Sequence, residues 1–118
     1  ALNIKVMREA ATYIEGKHDF TSFCSAKTDK EDKVRTVFQI DVEEALRSEL
    51  IIRVRGDGFL YNMVRIIAGT MVDIGRGKIR ESLKDIIGSG IRGRAGHTAP
   101  PQGLFLLGVD YPEDLKNI

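Results

Sequence analysis

Apolar residues near the start of the chain recur with the period of a helix. The repeat at i, i+3, i+4 and i+7 comprises Met7, Ala10, Ala11 and Ile14. This spacing predicts an amphipathic helix whose apolar side packs on the core. Asn3 is placed to cap the first turn of this helix, and Gly16 to end it.

Two later segments alternate between apolar and polar positions, as strands do. Their apolar faces consist of Phe38, Ile40 and Val42 in the first segment, and Leu50, Ile52 and Val54 in the second. Together they predict an antiparallel hairpin. A last strand is expected in residues 103–111, GLFLLGVDY, ended by Pro112.

Two helices are predicted between the hairpin and the last strand. The longer one runs from about Leu60 to Ile74 and ends at Gly75. The shorter one ends at Gly88 and carries Ile79, Leu83, Ile86 and Ile87. The predicted order is α-β-β-α-α-β, an α+β fold in which helices pack on one face of an antiparallel sheet.

A glycine-rich connection follows the shorter helix. It runs from Gly88 to Gly103 and contains four glycines and two arginines between Gly88 and Gly96. Connections this long inside a compact domain are usually functional or disordered. The glycines would allow its backbone to approach a phosphate, but their spacing matches neither a P-loop nor a dinucleotide-binding fingerprint.

Size and composition narrow the class of protein. The 118 residues, 42% hydrophobic and 30% charged, predict one compact domain, residues 1–118. No apolar run approaches the ~18 residues that span a bilayer, so no membrane partner is expected. A cytoplasmic location is expected instead. Cys24 is the only cysteine and the two histidines are distant, which argues against a disulfide scaffold or a zinc site. The first residue, Ala1, fits a processed chain or a piece of a longer one.

Charge is distributed unevenly along the chain. The segment from Arg53 to Arg94 holds nine cations and four acids, a net +5, while the remainder has a net −4. Such a segment is either a binding surface for a polyanion or a solvated face. The candidate contacts to nucleic acid are Arg53, Arg55, Arg76, Lys78, Arg92 and Arg94.

Arg65 lies within the apolar pattern of the longer helix. Moving a guanidinium out of water is costly unless it binds a carboxylate or phosphate. Asp73 is about 12 Å further along the helix and rotated away, so it is a poor partner. Two interpretations remain: Arg65 extends its stem to reach solvent, or it binds an anion from elsewhere in the fold or from outside the chain.

Three segments carry a resemblance to a known family. They are AATYIEGKHDFTSF near the start, GFLYNMVR before the longer helix, and HTAPPQGLFLLGVDYP near the end. In this order they resemble the C-terminal half of the A-type tRNA pseudouridine synthases. The resemblance covers nearly the whole chain, and it implies half of the pseudouridine synthase fold, partly ferredoxin-like.

The resemblance implies an isomerase that converts uridines in the anticodon arm of tRNA to pseudouridine, with no cofactor or metal. Arg65 matches the residue that pairs with the family's catalytic aspartate. That aspartate belongs to a Gly-Arg-Thr-Asp segment which this chain lacks, and Asp29 in Ala26-Lys27-Thr28-Asp29 is not a substitute. The residues that match the family's substrate pocket are Phe59, Leu60, Tyr61, Asn62 and Leu104. Packing explains each of these residues equally well.

The resemblance also matches His18, Asp19 and Phe20 to a family motif, to which chemistry assigns no role beyond Asp19 capping a short turn. As an enzyme, the longer protein is expected to be a homodimer that binds tRNA, and this part alone to be inactive. The alternative hypothesis is a non-catalytic RNA-binding module or a dimerisation module.

Overall fold

The computed structural model of the chain describes residues 2–25, 32–45 and 50–100, together with the backbone of residues 105–110. Its helices are α1 (Ile4–Ile14), α2 (Met63–Gly75) and α3 (Leu83–Ser89). Its strands are β1 (Gly16–Asp19), β2 (Val34–Glu44), β3 (Leu50–Gly56) and β4 (Phe105–Asp110). Short 3-10 turns span Thr21–Phe23 and Arg92–Arg94. Asp29 and Leu104 lie outside the described residues.

The first helix forms as its sequence predicts. Asn3 caps it, with its side-chain oxygen accepting a hydrogen bond from the Val6 N–H at 3.2 Å. Met7, Ala11 and Ile14 are buried, so the predicted apolar stripe faces the core. The side chain of Met7 also packs against Gly75 at the end of α2, where an added Cβ would overlap it. The α1 helix therefore covers the end of α2.

The four strands form one sheet in the order β1-β2-β3-β4. β2 and β3 pair antiparallel, with Ile40 opposite Val54 and Val42 opposite Ile52, which confirms the predicted hairpin. β1 was not predicted, and it adds four residues antiparallel to β2. β4 pairs parallel to β3, so the prediction of a purely antiparallel sheet is wrong. A strand that returns through intervening helices commonly lies parallel to the one it left.

One predicted sheet face is shifted by an irregularity in β2. The pairing register changes between Val37 and Gln39, as in a β-bulge. The extra residue reverses the inside-outside alternation at that point. Val37 is consequently buried and Phe38 is 43% exposed, so Phe38 does not share the core face with Ile40 as predicted.

The core lies between the helices and one face of the sheet. All residues of α2 are buried except Val64 and Arg65. Helix α3 ends at Ser89, and Gly90 adopts a left-handed conformation after it with φ 64°, so the predicted end at Gly88 is wrong. Within the described ranges, no helix is long and apolar enough to cross a membrane.

Candidate functional site

The segment between β3 and α2 is held in place by backbone contacts. The Asp57 N–H donates to the Thr36 carbonyl at 3.0 Å, and the Asp57 carboxylate accepts the Thr36 N–H at 2.8 Å. The ring of Phe59 packs against Gly56, where an added Cβ would lie 3.1 Å from it. The added Cβ would also lie 2.8 Å from the Thr36 carbonyl oxygen, so the backbone contact at position 56 leaves no room for a side chain.

The predicted pocket residues differ in their surroundings. Leu60 is 4% exposed and belongs to the core, whereas Tyr61 is 57% exposed. Phe59 and Asn62 are half-buried. Tyr61 and Asn62 are therefore accessible from solvent, whereas Leu60 packs in the core.

Asn62 immediately precedes α2 and has a left-handed backbone, with φ 61° and ψ 7°. It is the non-glycine residue with positive φ in the described part of the chain. The Met63 N–H donates to the Leu60 carbonyl at 3.0 Å and closes a turn that contains Asn62. The Asn62 side chain does not cap the helix. Its Oδ1 instead accepts a hydrogen bond from Arg65 Nη1 at 3.3 Å.

Arg65 is half-buried in the first turn of α2. Its Nε donates to the Ala99 carbonyl at 2.7 Å, in addition to the Nη1 bond to Asn62. The Ala99 N–H donates back to the Arg65 carbonyl at 2.9 Å. Across the described ranges, no carboxylate forms an ion pair with Arg65. The guanidinium thus has neutral partners and an uncompensated positive charge.

The chain around Ala99 packs directly on α2 because two glycines permit close contact. A Cβ at Gly69 would lie 1.8 Å from the His97 carbonyl oxygen. A Cβ at Gly96 would lie 2.6 Å from Thr70 Cα. The Gly96 N–H donates to Thr70 Oγ1 at 2.8 Å, and Thr70 Oγ1 donates to the Ile66 carbonyl at 2.7 Å. The close backbone approach that the glycine at position 96 allows is therefore used to pack on α2.

A second polar contact joins the same two segments near the other end of α2. Asp73 is 4% exposed, and its Oδ2 accepts hydrogen bonds from the His97 ring Nδ1 at 2.9 Å and from the His97 N–H at 3.2 Å. Burial raises the pKa of Asp73, but the two His97 hydrogen bonds and the charges of His97 and Lys78 outweigh it, leaving that pKa below its usual value. Sequence reasoning missed this pair, although it identified Asp73 as a poor partner for Arg65.

Two of the predicted RNA-contacting cations have acidic partners on the surface. Arg53 Nη1 lies 2.6 Å from Glu43 Oε2, across the β2–β3 pair. The Arg94 guanidinium forms an ion pair with Glu81, which precedes α3. These carboxylates partly neutralise the two cations.

Two further cations bind neutral groups within the chain. Arg92 donates to the Gly96 carbonyl at 2.7 Å and to Thr98 Oγ1 at 3.2 Å, so it holds the glycine-rich connection together. Arg55 Nη1 donates to Gln39 Oε1 at 3.3 Å.

Arg76 and Lys78 follow the end of α2 and are exposed. Over the described residues, neither side chain forms a hydrogen bond or an ion pair. Arg65 and Arg76 are separated by about 17 Å of helical rise, so the two ends of α2 present separate cationic sites.

The His18, Asp19 and Phe20 motif has a structural explanation. Asp19 Oδ1 accepts the Thr21 N–H at 2.9 Å at the start of the following 3-10 turn, whose N-cap residue is Phe20 and has no side-chain cap. Phe20 is fully buried, and its ring makes an edge contact with Phe23 at a centroid distance of 6.2 Å. Phe20 therefore anchors the chain in the core directly after β1.

Comparison with known proteins identifies the protein family to which the chain is similar. A sequence model of the family described as tRNA pseudouridine synthase matches residues 10–112. The chain is 52% identical over 111 residues to tRNA pseudouridine synthase A of Bacillus subtilis (strain 168), and the match covers 93% of this chain and 44% of that protein. It is 51% identical over 111 residues to tRNA pseudouridine synthase A of Brevibacillus brevis, covering 93% of this chain and 45% of that protein.

The chain therefore belongs to the tRNA pseudouridine synthase family, which confirms the resemblance seen in its sequence. It spans a little under half the length of these curated relatives. Its Arg65 segment and its Ala99 segment, distant in sequence, are joined in the structure by the reciprocal pair of hydrogen bonds described above.

Proposed function

We propose that the chain is the C-terminal part of a tRNA pseudouridine synthase that isomerises uridines in the anticodon arm of tRNA. The observation that carries this proposal is Arg65. It is a half-buried guanidinium with two neutral partners, the Ala99 carbonyl and the Asn62 amide. A cation in that state is suited to an anion from outside the described residues.

The anion that we propose is the catalytic aspartate of the remaining part of the enzyme. Arg65 would keep this carboxylate ionised by lowering its pKa, and would aim it at the uridine. The aspartate attacks the nucleotide, the bond from the ribose to the base nitrogen breaks, and the base rotates and bonds to the ribose through its ring carbon C5; the aspartate is released and the C5 proton passes to solvent. We place Phe59, Tyr61, Asn62 and Leu104 beside the target base. Leu60, which is 4% exposed, would support them from the core.

The same proposal covers the assembly. The complete enzyme would be a cytoplasmic homodimer that binds tRNA without a metal or organic cofactor. Its two halves would share a partly ferredoxin-like sheet, and this part alone would be inactive because it lacks the Gly-Arg-Thr-Asp nucleophile segment.

The test uses the complete enzyme and tritium release from tRNA labelled at uridine. We expect Arg65→Lys to reduce the rate nearly as much as Arg65→Ala, because an ammonium cannot reproduce the planar two-pronged contact. Loss of one partner of such a pair typically costs ~3–5 kcal/mol, which as transition-state stabilisation is a rate fall of about two to four orders of magnitude.

Arg8→Lys is the matched control. Arg8 Nε also donates to a backbone carbonyl, that of Val42 at 2.9 Å, but Arg8 is exposed and belongs to α1. Its variant should keep the parent rate. A wild-type rate for Arg65→Lys would contradict the catalytic role. Binding of tRNA by a complete protein that releases no tritium would favour the RNA-binding module instead.

Among the proposed RNA contacts, Arg76 and Lys78 are the strongest candidates because both are exposed and neither side chain forms a hydrogen bond or an ion pair in the described part of the chain. The slope of log K against log salt changes by about 0.7 for each phosphate contact to single-stranded RNA. Removing both side chains should flatten the slope for tRNA by more than one unit. The paired variant Arg92→Ala with Arg94→Ala should flatten it less, since both arginines bind within the chain. The reverse order would place the RNA on the glycine-rich connection.

A further inference from the structure

Asn62 has a backbone conformation that a glycine would adopt with a smaller steric penalty. The turn that starts α2 requires a left-handed residue, with φ 61° and ψ 7°. Glycine adopts this conformation without steric penalty, and asparagine is the side chain that tolerates it best. Such outliers often mark functional sites. The asparagine side chain does not cap the helix, so its use must be sought elsewhere.

The amide of Asn62 acts on Arg65. Its Oδ1 accepts from Arg65 Nη1 at 3.3 Å, while the Ala99 carbonyl accepts from Arg65 Nε at 2.7 Å. Both acceptors are neutral, so they fix the plane of the guanidinium without cancelling its charge. A carboxylate in place of either acceptor would fix the plane of the guanidinium equally well, but it would neutralise the charge of Arg65.

The Ala99 carbonyl is itself held from two directions. The Ala99 N–H donates to the Arg65 carbonyl at 2.9 Å, so the two residues form a reciprocal pair. Gly69 lets the backbone of residues 97–99 lie directly on α2. The acceptor for Nε is therefore part of a packed backbone, and it does not depend on a side-chain rotamer.

These two contacts determine which edge of Arg65 remains available. A guanidinium has five N–H donors: one on Nε and two on each Nη. The Ala99 carbonyl occupies Nε, which removes the side edge formed by Nε and Nη2. Asn62 takes one donor of Nη1. The donors that remain are both of Nη2 and one of Nη1; one Nη2 donor lies on the side edge next to the occupied Nε, and the other faces the end of the side chain, next to Nη1.

We infer that Asn62 and the Ala99 carbonyl are positioning groups that present the Nη1–Nη2 end of Arg65 to the anion. This inference rests on the proposed function for the identity of that anion as a carboxylate. Asn62 would act through Arg65 and would set the direction from which the carboxylate is held. The Ala99 carbonyl would keep Nε from competing for it.

The experiment compares Asn62→Gly and Asn62→Asp in the complete enzyme. Glycine keeps the left-handed turn and removes the amide, so kcat should fall about tenfold, the effect of losing one hydrogen bond of ordinary strength, with KM for tRNA unchanged. Aspartate tolerates the turn but places a carboxylate against Arg65, so kcat should fall further. Asn3→Gly, which removes the side-chain cap of α1, is the matched control and should keep the parent kcat.

A second readout is independent of activity. Nitrogen-15 NMR of the Arg65 guanidinium measures rotation about its Nε–Cζ bond. Rotation should be slow in the parent enzyme and faster in Asn62→Gly, while Asn3→Gly should match the parent. Parent-like kcat and parent-like rotation in Asn62→Gly would overturn the positioning role. A change in KM for tRNA with no change in kcat would overturn it as well.

The two readouts separate this inference from the proposed function. If Asn62→Gly frees the guanidinium while Arg65→Lys keeps the parent rate, the positioning contact stands and the catalytic role of Arg65 fails. If Arg65→Lys is inactive while Asn62→Gly changes neither kcat nor rotation, the catalytic role stands and the positioning role fails.

Discussion

Helix α2 carries two charged side chains, Asp73 and Arg65, and the partners that the fold provides for them are of opposite kinds. Asp73 is 4% exposed and receives two hydrogen bonds from His97, whose ring and backbone satisfy it within the fold. Arg65 is half-buried and donates to two neutral acceptors, Asn62 and Ala99, and no carboxylate among the described residues pairs with its charge. The anion is satisfied internally, whereas the cation remains able to bind another group.

This difference separates a structural charge from a functional one. A charged residue in an apolar helix indicates only that a partner is needed. The chemistry of the partner decides the role: an opposite or protonatable group within the chain points to stability, and neutral acceptors that orient the charge point to binding. The backbone of residues 96–99 serves both purposes, because it contributes the contacts to Asp73 and to Arg65.

Replacing Gly69 with alanine should remove both contacts at once, and it has the largest expected effect on stability. The new Cβ would lie 1.8 Å from the His97 carbonyl oxygen and would push residues 97–99 away from α2. Although alanine favours a helix by about 1 kcal/mol over glycine, this overlap should lower the free energy of unfolding by ~2–4 kcal/mol. Urea denaturation of the complete enzyme measures it.

Gly88→Ala is the control for that substitution. Gly88 is also helical, within α3, and nothing lies within 4 Å of its added Cβ. This variant should be neutral or stabilised by up to ~1 kcal/mol. Equal stability of the two variants would mean that residues 97–99 do not pack on α2 as described.

The regular elements were predictable because their signals are local. The α1 stripe and its Asn3 cap, the hairpin, and the apolar α2 helix all follow from spacing within one segment. The bulge that exposes Phe38 depends on register with β3, and the parallel pairing of β4 depends on where the chain returns. β1 is only four residues long, Gly16–Asp19, and it carries no apolar alternation to reveal it.

The Arg65 part of the candidate site was predictable, and the Asp73 part was overlooked. The cost of burying a charge led to a search for a partner of Arg65. The same reasoning applies to Asp73 in the same helix, where it would have indicated a buried partner such as His97. Gly69 in the middle of a helix also signals a close contact. That His97 provides this contact depends on the path of the glycine-rich connection, which spacing does not reveal.

The comparison between the two charges is sharpened by separating stability from activity. Asp73→Asn should reduce the free energy of unfolding by ~1–3 kcal/mol, because it weakens hydrogen bonds to a buried charged acceptor. Arg65→Ala should reduce it by less than ~1 kcal/mol, since the residue is half-buried with neutral partners, and yet it should lower the rate by about two to four orders of magnitude. Denaturation and tritium release on the same two variants test this. A larger loss of stability for Arg65→Ala than for Asp73→Asn would make Arg65 the structural charge.

The smallest expected effect is the change with pH in the free energy of unfolding that the Asp73–His97 contact contributes. The pKa of Asp73 in the fold is lowered, so the unfolded chain binds its proton more readily, and stability falls as the pH falls. The contribution is complete above the unfolded carboxyl pKa of about 3.9 and is lost as the pH drops through the lower folded value. The stability difference between the parent and Asp73→Asn, followed by urea denaturation from about pH 6 downward, should therefore shrink below about pH 4. A difference that is constant across this range would mean that the Asp73 charge contributes nothing to the His97 contact, and the contrast with Arg65 would rest on hydrogen-bond geometry alone.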